Sequence, residues 1–176
     1  MTNPKIAIFD LTDCEGCELQ FLALKEKLLE FANDFEIAAW RLVQPSENQL
    51  PKVDVAIIQG TIVTAKDQEI VKKVRERSKI LVALGECART GWIPAWIKKE
   101  NQEEAIKYVY GPEYKPKRID ALPLKDLVKV DLELPGCPPE PKILEQFLEK
   151  IPELIKTNRH SEQSEESVAN ATSQTN

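Results

Sequence analysis

Short apolar runs alternate with amphipathic stretches along most of the chain. Residues 5–11 (Lys-Ile-Ala-Ile-Phe-Asp-Leu) form a continuous apolar run, the mark of a strand buried on both faces of a parallel sheet. Beyond them Phe21, Leu24, Leu28 and Phe31 recur at steps of three and four, and Leu22 and Leu29 widen the stripe to about half the circumference. That spacing predicts one helix from about residue 18 to 32, packed on a sheet; the sharper alternative is that part of the stripe meets another subunit. Asn33-Asp34 punctuates, residues 35–43 read as a second strand, and residues 45–48 as loop. Residues 53–60 are a β-branched third strand ending in glycine. A helix over 66–77 follows, with Ile70, Val71 and Val74 on a narrow apolar face and charge elsewhere. The fourth strand, 79–85, leads into Cys87.

Residues 91–129 are less regular. Trp92, Ile93 and Trp96 read as apolar anchors beside Pro94, and residues 103–108 as a short helix. Gly111-Pro112, Pro116 and Pro123 mark a long crossing loop, more often functional than idle in a compact domain. The alternation over 129–134 predicts an edge strand, and a last helix runs from about 140 to 149, with an extension past Pro152. Strands alternating with helices predict a flavodoxin-like, doubly wound α/β domain over residues 1–157, its five-stranded sheet mostly parallel. Residues 158–176 are almost wholly polar and predict a disordered tail; the one histidine, His160, stands at its edge.

Composition narrows the function. The chain has 176 residues, 42% of them hydrophobic and 30% charged, and a net charge of −5 without a basic stripe, which argues against nucleic acid. No apolar stretch is long enough to span a membrane, and the N-terminal run is too short for a signal peptide. A cytoplasmic location is the expectation. There thiols stay reduced, so four cysteines point to metal or redox chemistry more than to disulfides.

Cys14 and Cys17 in Asp-Cys-Glu-Gly-Cys-Glu, Cys87 in Gly-Glu-Cys-Ala and Cys137 in Pro-Gly-Cys-Pro-Pro each follow an apolar run that reads as a strand. Three of the six glycines, Gly16, Gly85 and Gly136, lie within two residues of a cysteine. In a doubly wound sheet the carboxyl ends of the strands share one rim, where ligands bind, so residues distant in sequence can meet there. Several chemistries fit four such thiols. A thioredoxin-like dithiol would leave Cys87 and Cys137 unused, and Glu15 and Glu18 would raise the pKa of the pair. Structural zinc prefers two close Cys-x-x-Cys knuckles. Plain buried cysteines carry no reason for the repeated strand-end placement. A [4Fe–4S] cluster takes four thiolates in a dry pocket; glycines beside the ligands admit the main chain, and Pro138 and Pro139 stiffen the turn after Cys137. Phosphate-binding and nucleophile-elbow motifs are missing, and no residue is assigned a catalytic role.

Asp-Leu-Thr-Asp-Cys-Glu-Gly-Cys-Glu-Leu-Gln, Ala-Leu-Gly-Glu-Cys-Ala and Pro-Gly-Cys-Pro-Pro-Glu, in that order, resemble the small subunit of [NiFe]-hydrogenases. The wider family includes the 20-kDa subunit of NADH:quinone oxidoreductase. The likeness covers about residues 5–150 and is strongest to the cytosolic delta-type subunit of sulfhydrogenases. It implies one [4Fe–4S] cluster on Cys14, Cys17, Cys87 and Cys137, flanked by Glu15, Gly16, Glu18, Gly85, Glu86, Gly136 and Pro138. It also implies a large Ni–Fe subunit, a further electron-transfer subunit and an oxidoreductase role that this chain does not perform alone. Two residues between Cys14 and Cys17 favour the hydrogenase branch over the quinone branch, whose cysteines are adjacent. Such subunits commonly continue into a cysteine-rich part with further clusters, absent from this sequence, and carry Gly-Gly where Gly91-Trp92 stands. Carboxylates at Glu15, Glu18 and Glu86 are expected to keep the potential low or to relay protons.

Overall fold

A computed structural model describes residues 3–43, 50–96 and 99–173, without the side chains of Lys99 and of 159–173. Five strands, β1 (Lys5–Asp10), β2 (Glu36–Trp40), β3 (Val53–Gln59), β4 (Ser78–Leu84) and β5 (Leu132–Leu134), pair in parallel in the order β2-β1-β3-β4-β5. That is the flavodoxin-like order, with its switch point between β1 and β3. Alternate side chains point to opposite faces. Ile6, Ile8, Val55, Ile57, Ile80 and Val82 enter one core, while Ala7, Ala56, Ile58, Leu81 and Ala83 enter the other. α1 (Gly16–Leu22), α2 (Glu26–Asp34) and α7 (Pro141–Ser173) supply the first core, with Phe21, Leu144, Phe147 and Ile151. α3 (Ala65–Glu76), α4 (Gly85–Thr90) and a 3-10 turn at Leu124–Asp126 supply the second, with Val71, Val74, Ala88 and Leu124. Each fully buried aliphatic side chain contributes about 1.5–3 kcal/mol, so the two cores dominate the stability.

Local signals set several boundaries. Thr64 caps α3: its hydroxyl accepts from the Asp67 amide at 3.1 Å, and the Asp67 carboxylate accepts from the amides of Thr64 and Val63 at 2.9 and 3.0 Å. The crossing loop is pinned to the extension of β3, where Ile119 donates to Val63 at 2.7 Å and Ile62 and Leu122 exchange both backbone bonds. β5 occupies the edge as expected but has only three residues, and its entry is fastened by other means. Asp131 exchanges bonds with Leu81, amide to carbonyl at 2.9 Å and amide to carboxylate at 2.8 Å, and Arg75 clasps the same carboxylate.

Elsewhere the structure corrects the sequence reading. The single helix over 18–32 is two, α1 and α2, separated at Lys25, whose φ is 52°. No glycine or proline stands there. Phe21 and Leu24 are buried from α1 and the bend, whereas α2 offers only the partly buried Leu28 and Phe31, so packing and not local propensity makes the break. Ile93 and Trp96 are not anchors: α5 (Trp92–Trp96) leaves them 58% and 65% exposed. The short α5 follows directly on α4, and Trp92 and Trp96 pack on each other, ring centroids 4.7 Å apart. The helix over 103–108 is longer, α6 (Lys99–Tyr110). The last helix is longer too: α7 runs on past Pro152 to Ser173. The loop expected over 45–48 lies outside the described residues. No helix of the described residues is long and apolar enough to cross a membrane.

Trp92 has a φ of 40°, a left-handed value that costs a bulky L-residue on the order of 1 kcal/mol. Trp92→Gly removes the strain and the stacking, and Trp92→Ala removes the stacking alone. The glycine variant is expected to be the more stable of the two by about 1 kcal/mol in urea unfolding; equal midpoints would show that the backbone is unstrained.

Candidate metal centre

Four adjacent strands end at one rim, and three of them lead into cysteines. β1 is followed by Thr12 to Cys14, a turn and α1. Asp13 Oδ1 accepts from the Glu15 amide at 2.9 Å, and Glu15 itself takes the left-handed conformation at φ 63° that the neighbouring glycine would be expected to hold. Gly16 and Cys17 begin α1. β4 passes at Gly85 into α4, so Cys87 sits in a first helical turn and not in a loop. β5 passes through Pro135 and Gly136 to Cys137. Cys14, Cys17, Cys87 and Cys137 line one recess of about 120 Å³ together with Asp13, Gly16, Gln59, Gly60, Glu86, Gly136 and Pro138. Cys14 and Cys137 are exposed at its mouth, and Cys17 and Cys87 are half-buried. Among the described residues no three acidic, histidine or cysteine side chains converge as a single metal ion would need; the thiols stand around the recess.

The backbone makes room for sulfur. A Cβ on Gly85 would fall 2.5 Å from Cys17 Sγ, and Gly85 also has a φ of 77°. A Cβ on Gly136, at φ 124°, would meet Pro139 Cα at 2.6 Å. The bond between Cys137 and Pro138 is cis. Burial pushes the Cys17 thiol up to about 12, helped by the other cysteines and Asp13, and pushes Cys87 up to about 11 for the same reasons. A cationic group among the four thiols would reverse that penalty, because ligation stabilises thiolates. Thiol donors, space and a glycine-lined wall therefore fit an iron–sulfur group held by Cys14, Cys17, Cys87 and Cys137.

The acidic neighbours do something other than surround the thiols with charge. Glu15 bonds Arg41 at 2.8 Å, and Arg41 also pairs with Asp10. Glu86 pairs with Arg89 at 2.6 Å and accepts from the Gly136 amide at 3.1 Å. Glu18 is 1% exposed and turned toward β2, where Trp40 Nε1 donates to its Oε2 at 2.8 Å, while its Oε1 has no hydrogen-bond partner. Burial pushes its carboxyl up to about 7 against the Trp40 bond, which pulls the other way. Sequence reading missed Asp13, Gln59 and Gly60. Gln59, fully buried, accepts from the Glu18 amide at 3.1 Å and donates to Glu15 at 3.3 Å, bridging β3 to α1. Burial also raises Asp13, whose Oδ2 is buried without a partner. A polar residue closing the apolar run 55–58 of the third strand was the available signal for Gln59.

The family described as the 20-kDa subunit of NADH ubiquinone oxidoreductase matches residues 14–151. The chain is 42% identical over 135 residues to sulfhydrogenase 2 subunit delta of Pyrococcus furiosus, covering 76% of this chain and 56% of that protein. It is 33% identical over 152 residues to a subunit of the vhu F420-non-reducing hydrogenase of Methanocaldococcus jannaschii, covering 80% and 53%. It thus spans about half the length of these relatives. A chain of an NAD+-reducing [NiFe]-hydrogenase in the H2-reduced state superposes with a TM-score of 0.73 at 27% identity, covering 85% of this chain and 91% of that one. A chain of the reduced, active Ni-Fe-Se hydrogenase of Desulfomicrobium baculatum shares the fold, with a TM-score of 0.58 at 18% identity over 80% of this chain and 58% of that one.

Two expectations follow for metal-free protein. Gly85→Ala adds a Cβ at a left-handed position against Cys17 Sγ and is expected to cost at least about 2 kcal/mol in denaturant unfolding; a loss below about 0.5 kcal/mol would mean the wall yields freely. Because the carboxyl of Glu18 titrates near 7 when folded and near 4.5 when unfolded, its contribution is full below the lower value and lost as pH rises through the higher. Relative to Glu18→Gln, the wild type is expected to lose roughly 3 kcal/mol between those limits; parallel stability curves would refute the burial effect.

Proposed function

The chain belongs to the family of the 20-kDa subunit of NADH:ubiquinone oxidoreductase, and from that premise we propose that it is the electron-transferring small subunit of a [NiFe]-hydrogenase-type complex. In that reading Cys14, Cys17, Cys87 and Cys137 hold one [4Fe–4S] cluster, a large subunit of Ni–Fe type stands on one side, and a further electron-transfer subunit on the other. The observation that carries it is the gathering of all four cysteines, from three strand ends, around a single recess. The relatives' names add support, since both are hydrogenase subunits. When bound, such a cluster supplies one-electron transfer and no bond chemistry.

The chain's own residues do the rest. The four thiols would give up their protons on ligation, Cys17 and Cys87 against the cost of their burial. Gly85 lets the backbone pass close to the Cys17 sulfur, and Gly136 lets the chain turn tightly against Pro138 and Pro139. Gln59 and Trp40 hold α1, and with it Cys17, against β3 and β2. Electrons entering or leaving need no side-chain chemistry here, so the subunit acts within a complex and not alone. A related oxidoreductase subunit without hydrogenase activity, and a zinc module held by the same four thiols, are the competing readings.

Anaerobic purification and reconstitution test it. The expected product is brown, carries about four iron and four sulfide per chain, and bleaches with dithionite. Replacing any one of the four cysteines by serine is expected to lower the iron content or convert the signal seen by paramagnetic resonance. Colourless protein with about one zinc per chain would overturn the cluster. Co-purification with a large subunit bearing two Cys-x-x-Cys motifs supports the hydrogenase assignment, and a large subunit that lacks them overturns it.

A further inference from the structure

Cys137 is the ligand with the least regular structure behind it. β5 has three residues and one neighbour, β4, with Leu84 opposite Leu134 as the last pair. Pro135 then removes a backbone donor, and Pro138 and Pro139 remove two more, so the ladder cannot continue past the strand. What fastens the turn is Gly136, and both of its backbone groups go to one residue. Its amide donates to Glu86 Oε1 at 3.1 Å, and its carbonyl accepts from the Glu86 amide at 3.1 Å. Glu86 precedes Cys87, and Gly136 precedes Cys137. The pair of bonds therefore joins the main chain beside one cysteine to the main chain beside another.

Arg89 completes the arrangement. It donates to Glu86 Oε1 at 2.6 Å, and through Nε to Glu133 Oε2 at 2.9 Å on β5 itself. The Glu86 and Arg89 side chains keep only 18% and 26% of their surface. Hydrogen bonds in such a setting, made to a charged acceptor, are stronger than surface pairs. With its charge met by Arg89, Glu86 serves as a fixed strut. We propose that Glu86 is a positioning residue which sets the placement of Cys137 relative to Cys87 through Gly136, and thereby controls how firmly the fourth thiolate holds the cluster. This rests on the cluster reading above.

Two near-isosteric variants separate reach from charge. Glu86→Gln keeps the length and the acceptor oxygen but loses the charge. Glu86→Asp keeps the charge but is one methylene too short to reach the Gly136 amide. In reconstituted full-length protein, Glu86→Asp is expected to release iron to a chelator at least about tenfold faster than wild type, the loss of about 1.4 kcal/mol of restraint. Glu86→Gln is expected to stay within about threefold of wild type while its reduction potential rises, one negative charge having been removed. In the metal-free proteins, exchange of the Gly136 amide is expected to quicken about tenfold in Glu86→Asp and to change little in Glu86→Gln. Iron release unchanged in the aspartate variant, or as fast in the glutamine variant as in the aspartate one, overturns the proposal. Should wild type take up no iron, the cluster reading fails by itself, and an unchanged Gly136 amide in Glu86→Asp would then overturn the strut independently.

Discussion

A parallel sheet buried on both faces allows only one way for the chain to travel. Each connection must cross over a face and return to the same edge, so every strand enters from one rim and leaves at the other. In this protein β1, β3, β4 and β5 lie side by side, and their exits form a continuous rim less than a domain's width across. Residues more than a hundred positions apart, such as Cys14 and Cys137, become neighbours because the hydrophobic pairing of Ile8, Ile57 and Val82 sets the register of the strands beneath them. The recess depends on that register. Slipping any strand by one residue would turn its core side chains to the wrong face and carry its exit loop with it.

Polar contacts finish what the cores begin. The apolar layers hold β1, β3 and β4 firmly but give β5 a three-residue edge with little to bury. Carboxylates make up the difference at both of its ends. Asp131 and Arg75 secure the entry on Leu81, and Glu86 and Arg89 secure the exit at Gly136 and Glu133. On the far side of the rim, Gln59, Glu18 and Trp40 fasten α1 over β3 and β2. These bonds contribute about 1 kcal/mol each, far less than the cores, yet they decide where the cysteine-bearing turns stand. Glu15, Glu18 and Glu86 next to the thiols are thus struts, ion-paired or buried.

Much of this was legible from the order of residues. Short continuous apolar runs marked most of the strands, and their number and alternation with helices implied the doubly wound sheet. The strand-end positions of Cys14, Cys17, Cys87 and Cys137 implied a shared rim. Local signals failed where two conformations satisfy the same pattern. Phe21, Leu24, Leu28 and Phe31 keep their spacing whether the helix is continuous or bent at Lys25. Ile93 and Trp96 are apolar whether buried or exposed. Neither outcome is marked in the local pattern.

By itself, then, the sequence determined the class of fold and the set of thiols, because hydrophobic periodicity and residue chemistry are local properties. Only the tertiary structure decided that Gln59, Asp13 and Gly60 join the recess, that Glu15 rather than Gly16 takes the left-handed turn, and that Glu18 faces Trp40. The direction of a side chain and the partner of its charge depend on which strands stand adjacent. Adjacency is a consequence of packing both faces of the sheet at once, and no window of sequence contains it.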